Sequence, residues 1–119
     1  MLARVSRSAL VPAVGTCASA VNALRLLDAR RITLIHPPWF DHDWVAPRIP
    51  DDTDAVFIGG NGFNAAAAID ALERVSGRPV LESNQVLLWG ILADTSLKLR
   101  ISGYGRLFEF STGVERGTA

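Results

Sequence analysis

The sequence predicts a single α/β domain built around a parallel β-sheet. Two observations support this fold class: helix-like and strand-like segments alternate along the chain, and the strand-like segments have the length and β-branched content of buried strands. The chain has 119 residues, which is the length of one domain. We therefore expect one domain over residues 1–119, with residues 1–9 and 111–119 frayed at its ends.

The first predicted elements are a helix followed by a strand. Thr16 is predicted to cap the helix, and Arg30 and Arg31 are predicted to close it, because a helix C-terminus favours positive charge. The apolar face of this helix consists of Ala20, Ala23, Leu24 and Leu27. The segment "RITLI", residues 31–35, then predicts a short buried strand.

A crossover is predicted to be missing between the first and second strands. The second strand is "AVFIG", residues 55–59, and the segment before it, residues 36–54, is rich in proline and aspartate and predicts a loop. Parallel strands need a crossover of a dozen or more residues, and this crossover is usually a helix. Residues 36–54 are long enough but have the wrong composition, so an element is expected to be absent here.

The remaining elements are a helix, a strand and a last helix. Residues 63–77 carry a broad apolar stripe at helical spacing, and Gly77 stands where a helix-ending glycine is expected. The segment "PVLE", residues 79–82, predicts the third strand. Ser83 or Asn84 is predicted to cap the last helix.

Composition restricts the classes of partner. The 12 basic and 12 acidic side chains cancel and are not clustered, which argues against nucleic acid. No apolar run approaches the roughly 20 residues that span a bilayer. We therefore expect a cytoplasmic protein with no nucleic-acid or membrane partner. Residues 1–27 carry arginines and no acid, so a targeting segment at residues 1–20 stays an open alternative.

The segment "FIGGNGF", residues 57–63, is the strongest candidate for a ligand site. It lies between a strand and a helix, where backbone N–H groups and the helix dipole favour an anion. Residues 60–65 also match G-x-G-x-x-A, and Glu82 lies about 20 residues further on, as in a dinucleotide fingerprint. A tight turn without a ligand is the third alternative.

Two other groups of residues are candidates for a metal site or a reactive thiol. His36 and His42 lie near two aspartates, which could suggest a metal, but such residues on a loop are more often solvated, and we expect no metal. Cys17 lies near a helix N-terminus, where the pKa of a thiol can fall. No histidine is fixed beside it by the sequence, so we expect a small buried residue.

Three segments resemble a known enzyme family. They are "IGGNGF", "GRPVLESNQVLLW" and "GYGRLF", in this order and at this spacing. Together with "VPAVGTCASAVNALRLLDARRITLIHPPWF" they resemble the second half of the aspartate/glutamate racemase superfamily, in the branch of maleate cis-trans isomerase and arylmalonate decarboxylase. The resemblance covers most of residues 10–108.

The resemblance implies a half-domain of a two-half enzyme with its active site between the halves. Each half of such enzymes typically supplies a cysteine at a strand-to-helix turn, and no cofactor or metal is used. The implied chemistry is proton removal and return beside a carboxylate, or addition of a thiol to a double bond. A polarised thiol and a preorganised anion site lower the cost of an enediolate-like intermediate.

The resemblance also assigns positions in this chain. The cysteine of the second half falls at Gly60 and its oxyanion-binding neighbour at Asn61, while a tyrosine common in the family falls at Pro38. The residues expected to bind the substrate, a small carboxylic acid, are Thr16, Trp39, Gly60, Asn61, Gly62, Ser83 and Asn84.

The departures from the family pattern are as informative as the matches. Gly60 has no thiol, Cys17 is on a different turn, and the first half is not in this sequence. Residues 41–50 replace a helix–strand–helix stretch. We therefore expect a truncated relative that either acts on a small carboxylic acid or binds it without catalysis; a nucleotide-binding module is the third hypothesis. Self-association, or a partner chain supplying the missing half, is also expected.

Overall fold

A three-stranded parallel sheet is the centre of the molecule. The computed structural model describes residues 14–36, 41–59, 65–95 and 99–110. Its strands are β1 (Ile32–Ile35), β2 (Ala55–Ile58) and β3 (Val80–Glu82), and they lie side by side in that order. Both strand pairs are parallel. The predicted α/β fold class is therefore confirmed, and each predicted strand is found within one residue of its expected position.

The helices lie between and around these strands. They are α1 (Thr16–Leu26), α2 (His42–Val45), α3 (Ile69–Ser76) and α4 (Ser83–Ala93), and short 3₁₀ turns cover Ala46–Arg48, Ala66–Ala68 and Arg106–Phe110. In the part of the chain that the structure describes, none of the helices has the length and apolar character that a membrane crossing requires.

Helix α1 begins and ends differently from the prediction. Its N-cap is Gly15, and Thr16 is its first helical residue. The helix ends at Leu26, before Arg30 and Arg31, whose backbone N–H groups instead donate to the Asp54 carboxylate at 2.8 and 2.9 Å. These arginines therefore belong to the connection between α1 and β1. Long-range hydrogen bonding to Asp54, which no local pattern reveals, fixes that connection.

Strand β1 is an edge strand, so the prediction of a fully buried strand is wrong for it. Its residues alternate in exposure, and Ile32 and Leu34 are 43% and 67% exposed. Within the described residues β1 pairs with β2 alone. Strand β2, by contrast, lies between two partners and buries Val56 and Ile58 completely. Strand β3 lies at the other edge and is nevertheless buried, so the elements that pack on each strand decide the difference, and the residue pattern does not encode them.

The crossover between β1 and β2 is short and partly helical. Residues 36–54 contain α2 and a 3₁₀ turn, neither of which their composition predicted. Val45 and Ile49 from this crossover are buried against a cluster that includes Ile58 and Leu72. The crossover therefore covers part of one sheet face, and its described residues form only short helical turns.

Helices α1 and α4 pack on the other face of the sheet. Their cluster contains Ala23, Leu81, Val86, Trp89, Leu92, Leu107 and Phe108. The two helices approach closely at Gly90, where an added Cβ would lie 2.1 Å from the Ser19 Oγ. The predicted apolar face of α1 is confirmed, because Ala20, Leu24 and Leu27 pack against this cluster.

Helix α3 ends as predicted and is tied to the crossover. Gly77 has a φ of +69°, the left-handed conformation that ends helices, and its N–H donates to the Glu73 carbonyl. The next residue, Arg78, donates to the carbonyls of Asp51, Thr53 and Ser76 at 2.7–2.8 Å. Its guanidinium group thus joins the end of α3 to the segment that precedes β2.

Two buried polar side chains hold the segment after α4, and we call this contact the tail latch. The Glu73 carboxylate accepts hydrogen bonds from the N–H groups of Val80 and Arg106, both at 2.9 Å. The Gln85 amide donates to the Tyr104 carbonyl at 2.7 Å. Between them, Gly105 has a φ of +98°, and an added Cβ would lie 2.8 Å from Ile69. This position therefore requires glycine.

Candidate functional site at the carboxyl edge of the sheet

The carboxyl ends of the three strands are in register and form one edge. Ile35 is paired with Ile58, and Ile58 is paired with Glu82. The residues that follow the strands, His36, Gly59 and Ser83, therefore lie along the same edge. In α/β sheets, ligands bind outside the carboxyl ends of the strands, so this edge is the candidate site.

Some of the predicted site residues lie outside the described residues. They are Trp39, Gly60, Asn61 and Gly62, together with Pro38. Gly59, which immediately precedes the glycine turn, is described, and its N–H donates to the Ile35 carbonyl at 2.9 Å. The turn thus starts at the predicted edge, and the roles assigned to its residues stay predictions.

The start of α4 brings Ser83 and Asn84 to this edge, but neither caps the helix. The N-cap is Glu82, whose carboxylate accepts from the Gln85 N–H at 2.7 Å, while the Gln85 side chain accepts from the Glu82 N–H at 3.0 Å. This reciprocal pair is a capping box formed by a glutamate. The prediction of Ser83 or Asn84 as the cap is wrong, because strand β3 ends directly in the cap residue Glu82.

The side chains of Ser83 and Asn84 are held close to the edge. The Ser83 hydroxyl is buried and donates to the Ile58 carbonyl at 3.5 Å, which links α4 to the end of β2. Asn84 is exposed, and its amide donates to the Glu82 carboxylate at 3.4 Å. Of these two residues, Asn84 is therefore the one whose side chain is exposed at this edge.

The geometry of Glu82 argues against the dinucleotide hypothesis. That hypothesis needs an exposed acid at this position to accept hydrogen bonds from a ribose. Glu82 is only 1% exposed, and its carboxylate already accepts from Gln85 and Asn84. The acid is therefore committed to holding α4.

Thr16 lies at the start of α1, beside a different part of α4. Its neighbours Val14 and Ser19 both approach Gly90, where an added Cβ would lie 3.1 Å from Val14. Gly90 is seven residues beyond Ser83, which corresponds to about 10 Å along a helix axis. The structure thus brings Ser83 and Asn84 together and places the start of α1 near the second half of α4.

Next to Thr16, Cys17 is exposed, contrary to the expected buried role.

His36 is the residue that sequence reasoning considered only as a metal ligand. Its side chain is exposed at the end of β1, and its Nδ1 would lie 3.1 Å from a Cβ added to Gly59. The imidazole therefore lies beside the residue that leads into the glycine turn. Its position directly after a predicted strand was the available signal. Among the described residues, no three potential metal ligands come together, at His36 or elsewhere.

Comparisons with known proteins identify the fold. No family model matches the chain, and no curated protein matches it. Among solved structures, arylmalonate decarboxylase matches with a TM-score of 0.78 at 20% identity, over 91% of this chain and 64% of that one. The chain has the fold of this enzyme.

Maleate isomerases share this fold. The maleate cis-trans isomerase of Nocardia farcinica, in a variant with a covalently bound succinylcysteine intermediate, matches with a TM-score of 0.70 at 20% identity, over 78% of this chain and 54% of that one. A maleate isomerase variant from Pseudomonas putida S16 with maleate matches with a TM-score of 0.68 at 16% identity, over 87% of this chain and 57% of that one. The chain thus spans between half and two thirds of these structures, consistent with the predicted half-domain, and the resemblance is confirmed at the level of the fold.

Proposed function

We propose that this protein binds a small carboxylic acid at the carboxyl edge of its sheet and acts on it without a cofactor. The shared fold is the observation that carries the proposal. The similar structures are named for an enzyme that decarboxylates arylmalonates and for enzymes that isomerise maleate. These compounds are all small carboxylic acids, and a site for them needs hydrogen-bond donors rather than a basic surface.

The proposed binding residues fall into two groups. Asn61 and Gly62, with Gly60 before them, receive the carboxylate on backbone and amide N–H groups of the glycine turn. Asn84 donates from the start of α4, with Ser83 ordering the strand ends behind it. Trp39 completes the set as an apolar wall, and Thr16, which lies beside the second half of α4, is left out of it. Such donors stabilise the charge that develops on a carboxylate when an adjacent carbon loses a proton.

Gly60 favours a second candidate function, carboxylate binding without turnover. A glycine at the position of the family cysteine has no thiolate to add to a double bond or to remove a proton. The fold and the donors would then be retained for binding alone. The two candidates share a ligand class and differ in whether the bound acid reacts.

The ligand class is tested by titrating the isotope-labelled full chain with malonate, maleate and NAD. We expect the amide signals of Gly59, Asn61 and Asn84 to shift with the two dicarboxylates and not with NAD. Asn61→Ala should weaken these shifts, and Asp70→Ala, on the exposed side of α3, serves as the control. Shifts with NAD alone would instead favour the dinucleotide hypothesis.

A further inference from the structure

We infer that His36 is the residue that transfers a proton to and from the bound acid. The inference rests on the proposed function and supplies the base that the glycine at position 60 cannot provide. It is carried by the geometry of the strand ends and by the space that Gly59 leaves open.

The position of His36 follows from the sheet. Since Ile35 is paired with Ile58, the residues that follow them, His36 and Gly59, lie side by side at the carboxyl edge. The Gly59 N–H donates to the Ile35 carbonyl at 2.9 Å, which extends the ladder to this point and fixes the backbone on which His36 is carried. Proton transfer requires a base fixed within hydrogen-bond reach of the ligand, and a rigid strand end provides such a support.

Gly59 leaves space for the imidazole. The glycines with positive φ in the described residues are Gly77, Gly103 and Gly105, so backbone conformation does not explain Gly59. An added Cβ would lie 3.1 Å from His36 Nδ1, which is closer than most Cβ contacts, and 3.8 Å from Cε1, which is an ordinary contact distance. A side chain at position 59 would therefore push against the ring. The glycine allows the imidazole to lie over the backbone that enters the turn.

His36 differs from the other polar side chains of this edge in being both basic and accessible. Glu82 is buried and holds the start of α4, and Ser83 is buried with its hydroxyl on the Ile58 carbonyl. Asn84 has no base. Along the described part of this edge, His36 is therefore the side chain that can exchange a proton with a ligand from solvent-accessible space.

The proposed step balances without a further reactant. A ring nitrogen of neutral His36 takes a proton from the carbon beside the carboxylate, so the C–H bond breaks and an N–H bond forms. The electron pair moves into the carboxylate to give an enediolate-like species, and the imidazolium returns a proton to the same carbon. In heavy water the returned particle is a deuteron, which makes the step visible.

The experiment measures deuterium incorporation into malonate by proton NMR, with the full chain in heavy water. We expect the wild-type protein to exceed the buffer rate, and His36→Gln to lower the enzymatic rate by about 100-fold or more, which is the lower end of the contribution of general acid–base catalysis. Gly59→Ala should also lower the rate, because it displaces the ring. His42→Gln removes the other histidine of the chain and should leave the rate unchanged.

Malonate binding is followed in parallel by amide shifts, which also report whether each variant is folded. Retained binding in His36→Gln with loss of exchange supports the inference. Exchange in His36→Gln at the wild-type rate overturns it. Binding of malonate by the wild-type protein without exchange above the buffer rate also overturns the inference, but it leaves the proposed carboxylate binding intact. Absence of malonate binding by the wild-type protein overturns the proposed function together with the inference.

Discussion

Glu73 shows how one charged residue can organise distant parts of the chain. It lies on α3, is only 5% exposed, and accepts backbone hydrogen bonds from Val80 on β3 and from Arg106 in the tail. Burial raises the pKa of this carboxyl above its usual value of 4.5, and the two backbone hydrogen bonds partly oppose the shift. The stability that Glu73 contributes to the fold therefore depends on whether its carboxyl group is protonated.

The raised pKa predicts a pH dependence of stability. A group whose pKa is higher in the folded state contributes stability that is fully present below its unfolded pKa and is lost as pH rises through the folded pKa. We expect this contribution to decline as pH rises above about 4.5. Glu73→Gln keeps an acceptor oxygen and should flatten the decline, as measured by urea unfolding between pH 4 and 7. Glu109→Gln, at an exposed position, is the control, and equal slopes in Glu73→Gln and wild type would contradict the prediction.

Arg78 has a comparable role just beyond the C-terminus of α3. Its guanidinium donates to three carbonyls, two of which, those of Asp51 and Thr53, belong to the segment before β2. We expect Arg78→Ala to lower the free energy of unfolding by about 1.5–3 kcal/mol, because hydrogen bonds to charged groups fall in that range. Arg74→Ala, which removes an exposed arginine from the same helix, should change stability much less. Equal losses in urea unfolding would show that the three carbonyl contacts contribute little.

At the scale of elements, the closest helix packing occurs between α1 and α4. Gly90 allows it, since an added Cβ would lie 2.1 Å from the Ser19 Oγ and 2.9 Å from its Cβ. Contacts this short involve the Cβ itself, so rotation of the Ser19 hydroxyl cannot relieve them. The helices would have to move apart, and the cluster containing Ala23 and Trp89 would lose packing.

We therefore expect Gly90→Ala to destabilise the protein although alanine is the better helix former. Alanine gains about 1 kcal/mol of helix propensity. Overpacking a core typically costs about 1–3 kcal/mol and should exceed this gain. The double variant Ser19→Gly with Gly90→Ala should be more stable than the summed effects of the two single changes predict. Thermal unfolding of the wild type, the two single variants and the double variant measures this difference. Additive effects would show that Ser19 does not clash with the side chain introduced at position 90.

At the scale of the whole molecule, the β1 edge of the sheet exposes apolar side chains, and Leu34 is 67% exposed. Ile32 and Leu34 lie on the sheet face that α1 and α4 cover elsewhere, and among the described residues the outer side of β1 has no partner strand. Unprotected edges of this kind pair with other chains. The crossover covers part of the opposite face through Val45 and Ile49.

We expect the protein to self-associate through this edge. Leu34→Lys should shift sedimentation towards the monomer, since a lysine on an edge strand opposes pairing and removes an apolar side chain that is 67% exposed. Val75→Lys, at an exposed apolar residue on α3, is the matched control and should leave association unchanged. A wild-type protein that stays monomeric at all concentrations tested would contradict the prediction.

Local patterns in the sequence determined the elements and their order. β-branched runs located the three strands, apolar spacing located the faces of the helices, and Gly77 marked the end of α3 because a left-handed residue there strongly favours glycine. The three resembling segments predicted the fold that the decarboxylase and isomerase structures share. All of these signals depend on neighbours within a few residues or on a motif read along the chain.

The tertiary structure alone decided the features that depend on residues far apart in the chain. Strand β1 is more exposed than β2 and β3, and the N–H groups of residues 30 and 31 are fixed by the Asp54 carboxylate. His36 lies beside Gly59 only through the pairing of β1 with β2. Such contacts join residues more than 20 positions apart, and chain folding, rather than residue type or spacing, brings them together.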